Sequence, residues 1–174
     1  MKKINIILSF SLVFLLLLMG CVDTQLQLKE FKSEDGGFSV LMPGTPKLET
    51  QTANTAAGPL DIKMYGLEKN GIGYSVGYIV YPEEAVAEQT PEQTLDGARD
   101  GAVANVFGTL TLEKIISVGG YPAREITIAV EDGGVRARII LVNNTMYIVT
   151  VAATKDKIVQ PHIKDVLESF KLLE

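Results

Sequence analysis

The chain is poor in the residues that carry most catalytic and metal-binding chemistry. Among 174 residues there is no tryptophan, one cysteine and one histidine. A single cysteine excludes a disulfide within the chain, so the folded part must be held by its core and its sheet ladders. A single histidine, His162, excludes a metal site built on several histidines and leaves a Ser/His/Asp arrangement with one possible base. His162 stands beside Pro161 and near Lys164 at an expected helix start, where an exposed histidine without a chemical task is common. Long apolar runs are missing too. Residues 4–18 form a run of 15, interrupted by Asn5, Ser9 and Ser11, whereas a membrane-crossing helix needs about 20.

What stands at that end is an export signal. Lys2 and Lys3 supply a positive start, and the apolar run has the length of a secretory core segment. It closes on Leu18-Met19-Gly20-Cys21, which resembles the bacterial lipobox: an aliphatic residue, a variable one, a small one, then the cysteine that is lipidated. Residues 1–20 are therefore read as a lipoprotein signal peptide. Residues 21–29 are read as the lipidated cysteine and a short tether, and residues 30–174 as one domain. The tether, extended, reaches roughly 28 Å. The alternative, a free thiol in an uncleaved apolar segment, leaves the position of the sole cysteine unexplained. Two acyl chains suffice for stable attachment at about 0.8 kcal/mol per buried methylene. The expected location is thus a lipid anchor in the cell membrane, facing the extracytoplasmic side.

Charge is short on the positive side. The whole chain has 16 basic and 21 acidic side chains, a net of −5. Loss of Lys2 and Lys3 with the signal leaves 14 against 21, a net of −7. That balance argues against nucleic acid and against adhesion to acidic headgroups. The membrane would be met through acyl chains on Cys21.

Along the mature chain, residues 31–42 read as two strands around Asp35-Gly36-Gly37, closed by Pro43-Gly44-Thr45-Pro46. Residues 48–55 read as a polar edge strand. Residues 60–68 return with Leu60, Ile62, Met64 and Gly66 on one face, and Asn70-Gly71 marks a tight turn. Residues 72–81 place Tyr74, Val76, Tyr78 and Val80 on one face. Residues 82–89 read as a loop. Thr90-Pro91-Glu92-Gln93 then opens a helix with a capping box and proline at its first position. Gly97 and Gly101 inside that helix are expected to allow close packing on the sheet. Residues 110–118 are the next strand, turned by Gly119-Gly120 into the β-rich stretch 121–154. Taking Gly133-Gly134 as a two-residue turn sets Ile128 against Ile139 and Glu131 against Arg136. Asn143-Asn144 turns the following hairpin. Residues 157–172 read as the last helix, with Ile163, Val166, Leu167 and Phe170 as its apolar stripe. The count is about eight strands and two helices: an α+β domain, one twisted antiparallel sheet packed by helices.

Gly37-Phe38-x-Val40-x-Met42-Pro43, Thr90-Pro91-Glu92, the stretch 138–147 and Ser169-Phe170, taken with the order of elements over roughly residues 30–172, resemble the PsbP-like family. The resemblance implies that family's antiparallel sheet with helices against it, in an exported or lipidated protein. Photosystem-associated members usually carry a tryptophan shortly after the early proline. Here Pro43 is followed by Gly44-Thr45-Pro46 and no tryptophan exists, so a photosystem II role is retained as an alternative for a photosynthetic host.

No catalytic constellation is visible, and no cofactor is expected. The acidic pairs Glu34-Asp35, Glu83-Glu84 and Glu131-Asp132 lack the ligand spacing of a calcium loop and read as solvated turns. The Gly-Gly pairs do not open helices as phosphate loops do. Tyr74, Tyr78 and Tyr81 fit half-buried strands without a ligand. The apolar strand faces are read as core. Arg136 and Arg138, two apart on one strand of an acidic protein, are the candidate partner-binding pair, because a guanidinium fork suits carboxylates at interfaces. The functional expectation is a non-enzymatic protein-binding or scaffolding module. Small-molecule or metal binding is the alternative.

Overall fold

The computed structural model describes residues 26–55 and 58–173. The signal peptide, Cys21 and residues 22–25 of the tether lie outside the described residues. The described chain is all antiparallel β with three helices. The strands are β1 (Lys29–Ser33), β2 (Phe38–Met42), β3 (Lys47–Thr55), β4 (Gly58–Lys69), β5 (Ile72–Val80), β6 (Thr109–Val118), β7 (Tyr121–Val130), β8 (Gly133–Val142), β9 (Thr145–Thr154) and β10 (Lys171–Leu172). The helices are α1 (Glu83–Ala87), α2 (Pro91–Asn105) and α3 (Pro161–Glu168).

These strands make two sheets where one was expected. The large sheet runs β3-β4-β5-β9-β8-β7-β6, and the small one β1-β2-β10. One of the strands beyond the expected count arises because the expected last helix stops at Glu168, and Lys171 and Leu172 then pair with Ser39 and Phe38. Pro161 sits at the helix start rather than inside it, where its missing N–H costs nothing. Residues 83–87, expected as loop, form the short helix α1.

The large sheet is covered on two faces by different means. Phe38, Val40 and Met42 of the small sheet and Ile163, Val166 and Leu167 of α3 pack on its inner face, against Tyr74, Val76, Val149 and Val151. Leu95 of α2 packs on the outer face, against Ile126, Ile128, Ala137 and Ile139. Leu26 and Leu28 already pack on the inner cluster, so the chain is tied down before β1 begins.

Local chemistry explains the helix. Thr90 Oγ1 accepts from the Gln93 amide at 3.3 Å, and Gln93 Oε1 accepts from the Thr90 amide at 2.9 Å, closing the expected capping box. The helix ends where Phe107 turns left-handed at φ 50°. The glycines within it do not serve close packing: both are exposed, and a Cβ on Gly97 or Gly101 would meet nothing within 4 Å.

The β7–β8 hairpin corrects a second expectation. Its turn is Glu131-Asp132, and Val130 pairs with Gly133. Ile128 therefore faces Val135, Ile126 faces Ala137, and Arg138 faces Glu125; Arg136 faces Thr127 rather than Glu131. The shift is an even number of residues, so the apolar face is preserved. Gly133 is there for a different reason than a turn. A Cβ on it would collide with the carbonyl oxygen of Ala153 on β9, so only glycine lets the two backbones come this close.

Candidate functional site

The polar side chains of the inner face fasten the small sheet to the large one. The β1–β2 turn is seated on three tyrosines. Tyr147 donates to the Gly36 carbonyl at 2.9 Å, Tyr78 donates to Asp35 Oδ2 at 2.9 Å, and Tyr65 accepts from Ser33 Oγ at 3.0 Å. Lys63 of β4 also donates to Asp35. The Lys63 ammonium, and after it the Tyr78 hydroxyl, hold the Asp35 carboxyl below the usual range, and Asp35 in turn raises Lys63. The Glu34-Asp35 pair, read as a solvated turn, thus contributes one carboxylate to an intersheet contact. Burial pushes Tyr78 and Tyr147 up, so both stay protonated donors.

His162 is committed to the same task at the other end of the inner face. Its Nε2 lies 2.8 Å from the Tyr74 hydroxyl, joining α3 to β5. Tyr74 is 2% exposed and its pKa is pushed up to about 12 by burial. Burial lowers His162, with Asp165 opposing. In the neutral imidazole the tautomer sets which of the two groups donates in this bond.

Arg136 and Arg138 share one face of β8, as their spacing predicts, and that is the inner face, on the side of Ile140 and α3. Arg138 is engaged. Its Nε and Nη2 both reach Glu125 Oε2, at 2.9 and 2.8 Å, and Nη2 also reaches Glu168 of α3 at 3.1 Å. The Arg138 and Glu125 side chains are 14% and 12% exposed. Arg136 is half-buried and makes no ion pair among the described residues. One of the two guanidinium groups is therefore held inside the fold.

A second ionic group, not anticipated from the sequence, ties α2 to the sheet. Arg124 is 5% exposed; its Nη2 donates to Asp96 Oδ1 at 3.2 Å. Its Nε lies 3.2 Å from Glu113 Oε1, close enough for an ion pair but not aligned for a hydrogen bond. Arg99 bridges Asp96 and Glu113 from the helix side. The register shift between Leu110 and Leu112 makes this possible. A bulge there turns Glu113 onto the outer face, opposite Ile126.

The outer face is only half covered. Helix α2 packs on β7 and β8. Across β4, β5 and β9, Ile62 pairs with Ile79, which pairs with Met146, and Met64 pairs with Gly77, which pairs with Ile148. Ile62, Met64, Ile79 and Ile148 are half-exposed. Of these, Ile62 and Met64 were expected in the core. The apolar stripes of β4 and β5 that the alternation picks out fall on opposite faces of the sheet, because Met64 pairs with Gly77 and not with Val76 or Tyr78. The signal available in the sequence was the run of small residues Gly73, Ser75 and Gly77 between the tyrosines.

Tyr81 continues the outer face beyond β5, with its amide donating to the Asn144 carbonyl at 2.9 Å. It forms part of a cleft of about 620 Å³ between α1 and α2, lined also by Val86, Ala98, Thr94, Glu84 and Glu88. Among the described residues, no group of three or more His, Cys, Asp or Glu side chains gathers in a metal-holding arrangement. No described helix is long and apolar enough to cross a membrane.

No family model matches the chain, and no curated protein matches it. Solved structures do. The solution structure of cyanobacterial PsbP (CyanoP) from Synechocystis sp. PCC 6803 superposes with a TM-score of 0.57 at 13% identity, covering 88% of this chain and 96% of that one. A protein of unknown function from Pseudomonas aeruginosa, PA94, described as a putative regulator, matches over 79% of this chain and 89% of its own at 13% identity; its TM-score of 0.36 carries no argument. The chain has a PsbP-like fold.

Proposed function

We propose that this protein is an extracytoplasmic lipoprotein, anchored through acyl chains on Cys21, whose PsbP-like domain binds or scaffolds a protein partner without catalysing a reaction. The observation that carries the accessory role is the fold likeness to cyanobacterial PsbP, which extends over 88% of this chain. The anchor is supported by the Leu18-Met19-Gly20-Cys21 motif and the apolar run before it. The use of Tyr74, Tyr78, Tyr147, His162 and Arg138 in holding sheets and helix together supports a domain whose work is done at its surface.

The test is cross-linking in intact cells, followed by identification of the proteins joined to this one. A reproducible adduct with one protein or complex is expected. Recovery of the uncross-linked protein alone, together with turnover of a substrate by the purified protein, would replace the accessory role with an enzymatic one. The same likeness favours a second reading, a photosystem II accessory or assembly factor. Its expected outcome is co-purification with photosystem II from a photosynthetic host.

A further inference from the structure

We infer that the open half of the outer sheet face, with the cleft beside it, docks a segment of the partner protein that carries apolar and cationic side chains together. The inference rests on the accessory reading above and specifies its surface and the chemistry of its partner.

The apolar part comes from the sheet register. Ile62 and Ile79 face the same way as Met146, and Met64 faces the same way as Ile148, so a strip of large side chains crosses β4, β5 and β9 toward α2. Beside it the surface drops, because Gly66, Ser75 and Thr150 form the next row and Gly73 follows on the same face of β5. Half-exposed Ile62, Met64 and Ile79, with Ile148 across Gly77 and Met146 buried at the α2 end, make a shallow apolar trough bordered by small residues. A contiguous apolar patch with a polar rim is the mark of an interaction surface.

The charge of the rim selects the occupant. Beyond Tyr81, residues 82–98 contain Glu83, Glu84, Glu88, Glu92 and Asp96 and no lysine or arginine. Asp96 is held by Arg99 and Arg124. Glu83, Glu84, Glu88 and Glu92 are exposed and make no ion pair among the described residues. Glu84 and Glu88 line the cleft, whose walls are Tyr81, Val86 and Ala98. A guest that fills the trough and cleft must bring apolar side chains, and lysine or arginine to meet the carboxylates. A second copy of this chain, with a net charge of −5, brings the wrong sign. Leu26 and Leu28 pack on the inner cluster, on the opposite face of the sheet.

The experiment uses the full-length protein in detergent micelles. The probe is a short fluorescent peptide alternating lysine and leucine, with a glutamate–leucine counterpart as control. Binding of the cationic peptide that weakens with salt is expected. Glu84→Gln with Glu88→Gln should weaken it about tenfold, since exposed ion pairs are individually weak and two are removed together. Ile62→Ser with Ile79→Ser should abolish it. The glutamate pair is exposed, so its replacement keeps the fold and remains informative if the isoleucine variant is unstable. Failure of the cationic peptide to bind, equal binding of the acidic one, or wild-type Kd values in the glutamate variant would overturn the inference. Self-association lost in the isoleucine variant would give the face to a second copy instead. A photo-reactive residue at position 62, compared with one at the exposed Val159 in the turn between β9 and α3, separates the two readings in cells. Partner adducts from position 159 alone leave the accessory role standing and remove this surface. Protein adducts from neither position remove both.

Discussion

Tyr147 donates its hydroxyl hydrogen to the carbonyl of Gly36 at 2.9 Å, across 111 residues of chain, and both groups are buried. That single bond joins β9 of the large sheet to the turn of the small one. It belongs to a cluster in which the Phe38 ring stacks on Phe170 at 5.7 Å and meets Tyr147 edge-on at 6.0 Å. The three tyrosine hydroxyls around this turn give the small sheet a fixed seat that apolar packing alone would leave free to slide.

Removing the bond should therefore cost more than its area suggests. Tyr147→Phe keeps the ring and leaves the Gly36 carbonyl buried without a partner, a loss of about 1–3 kcal/mol. Chemical denaturation of the variant would measure it. Stability equal to wild type would mean that the turn is held by packing alone.

The β7–β8 register makes a second, sharper test. Glu125→Gln should destabilise by a few kcal/mol, because it leaves the largely buried Arg138 guanidinium with only Glu168. Glu131→Gln, in the turn, should be near neutral. The opposite ranking in thermal melts would favour the hairpin turned on Gly133-Gly134.

Gly97 and Gly101 are exposed helical positions with open space around them. Each replacement by alanine should raise stability by about 0.8–1 kcal/mol. The gain would appear as a higher denaturant midpoint with an unchanged slope. A loss would show that something packs on this side of α2.

His162 should give the protein a mild acid sensitivity. Its pKa is lowered in the folded state, chiefly by burial. The unfolded chain then binds more protons below the unfolded pKa of about 6.5. Its contribution to stability is complete above that pH and is lost as pH falls toward the folded value. Carboxylates held low, such as Asp35, are lost only at more acid pH. Between about pH 7 and 5.5 the wild-type melting temperature should fall, and in His162→Gln it should stay flatter. Equal slopes for the two proteins in that window would remove the imidazole from the account.

Cys21→Ala should abolish fatty-acid labelling and release the protein from the membrane fraction. Labelling of the variant at the wild-type level would refute the anchor at this residue.

Features that local chemistry decides were readable from residue order alone. Thr90, Pro91 and Gln93 specify the start of α2 through bonds within one turn, and Asn70-Gly71 and Asn143-Asn144 mark hairpins through backbone freedom at Asn70, Gly71 and Asn143. Period-two alternation placed the strands within a residue or two. The likeness to the PsbP-like family was legible from element order and a few short motifs. What the sequence left open depended on partners distant in the chain. Alternation says which residues of one strand share a face, but not which face of the assembled sheet that is. Ile62 and Met64 were therefore indistinguishable from core until β5 set them opposite Ile79 and Gly77. Gly133-Gly134 reads as a turn locally, yet it is spent on the approach of β9. Lys171 and Leu172 continue a helical pattern, and only the free edge of β2 recruits them as a strand. Arg138 looked like a surface cation because Glu125 and Glu168, which hold it, lie 13 and 30 residues away. Each of these choices was settled by long-range pairing, whose energy appears only when the strands are already assembled.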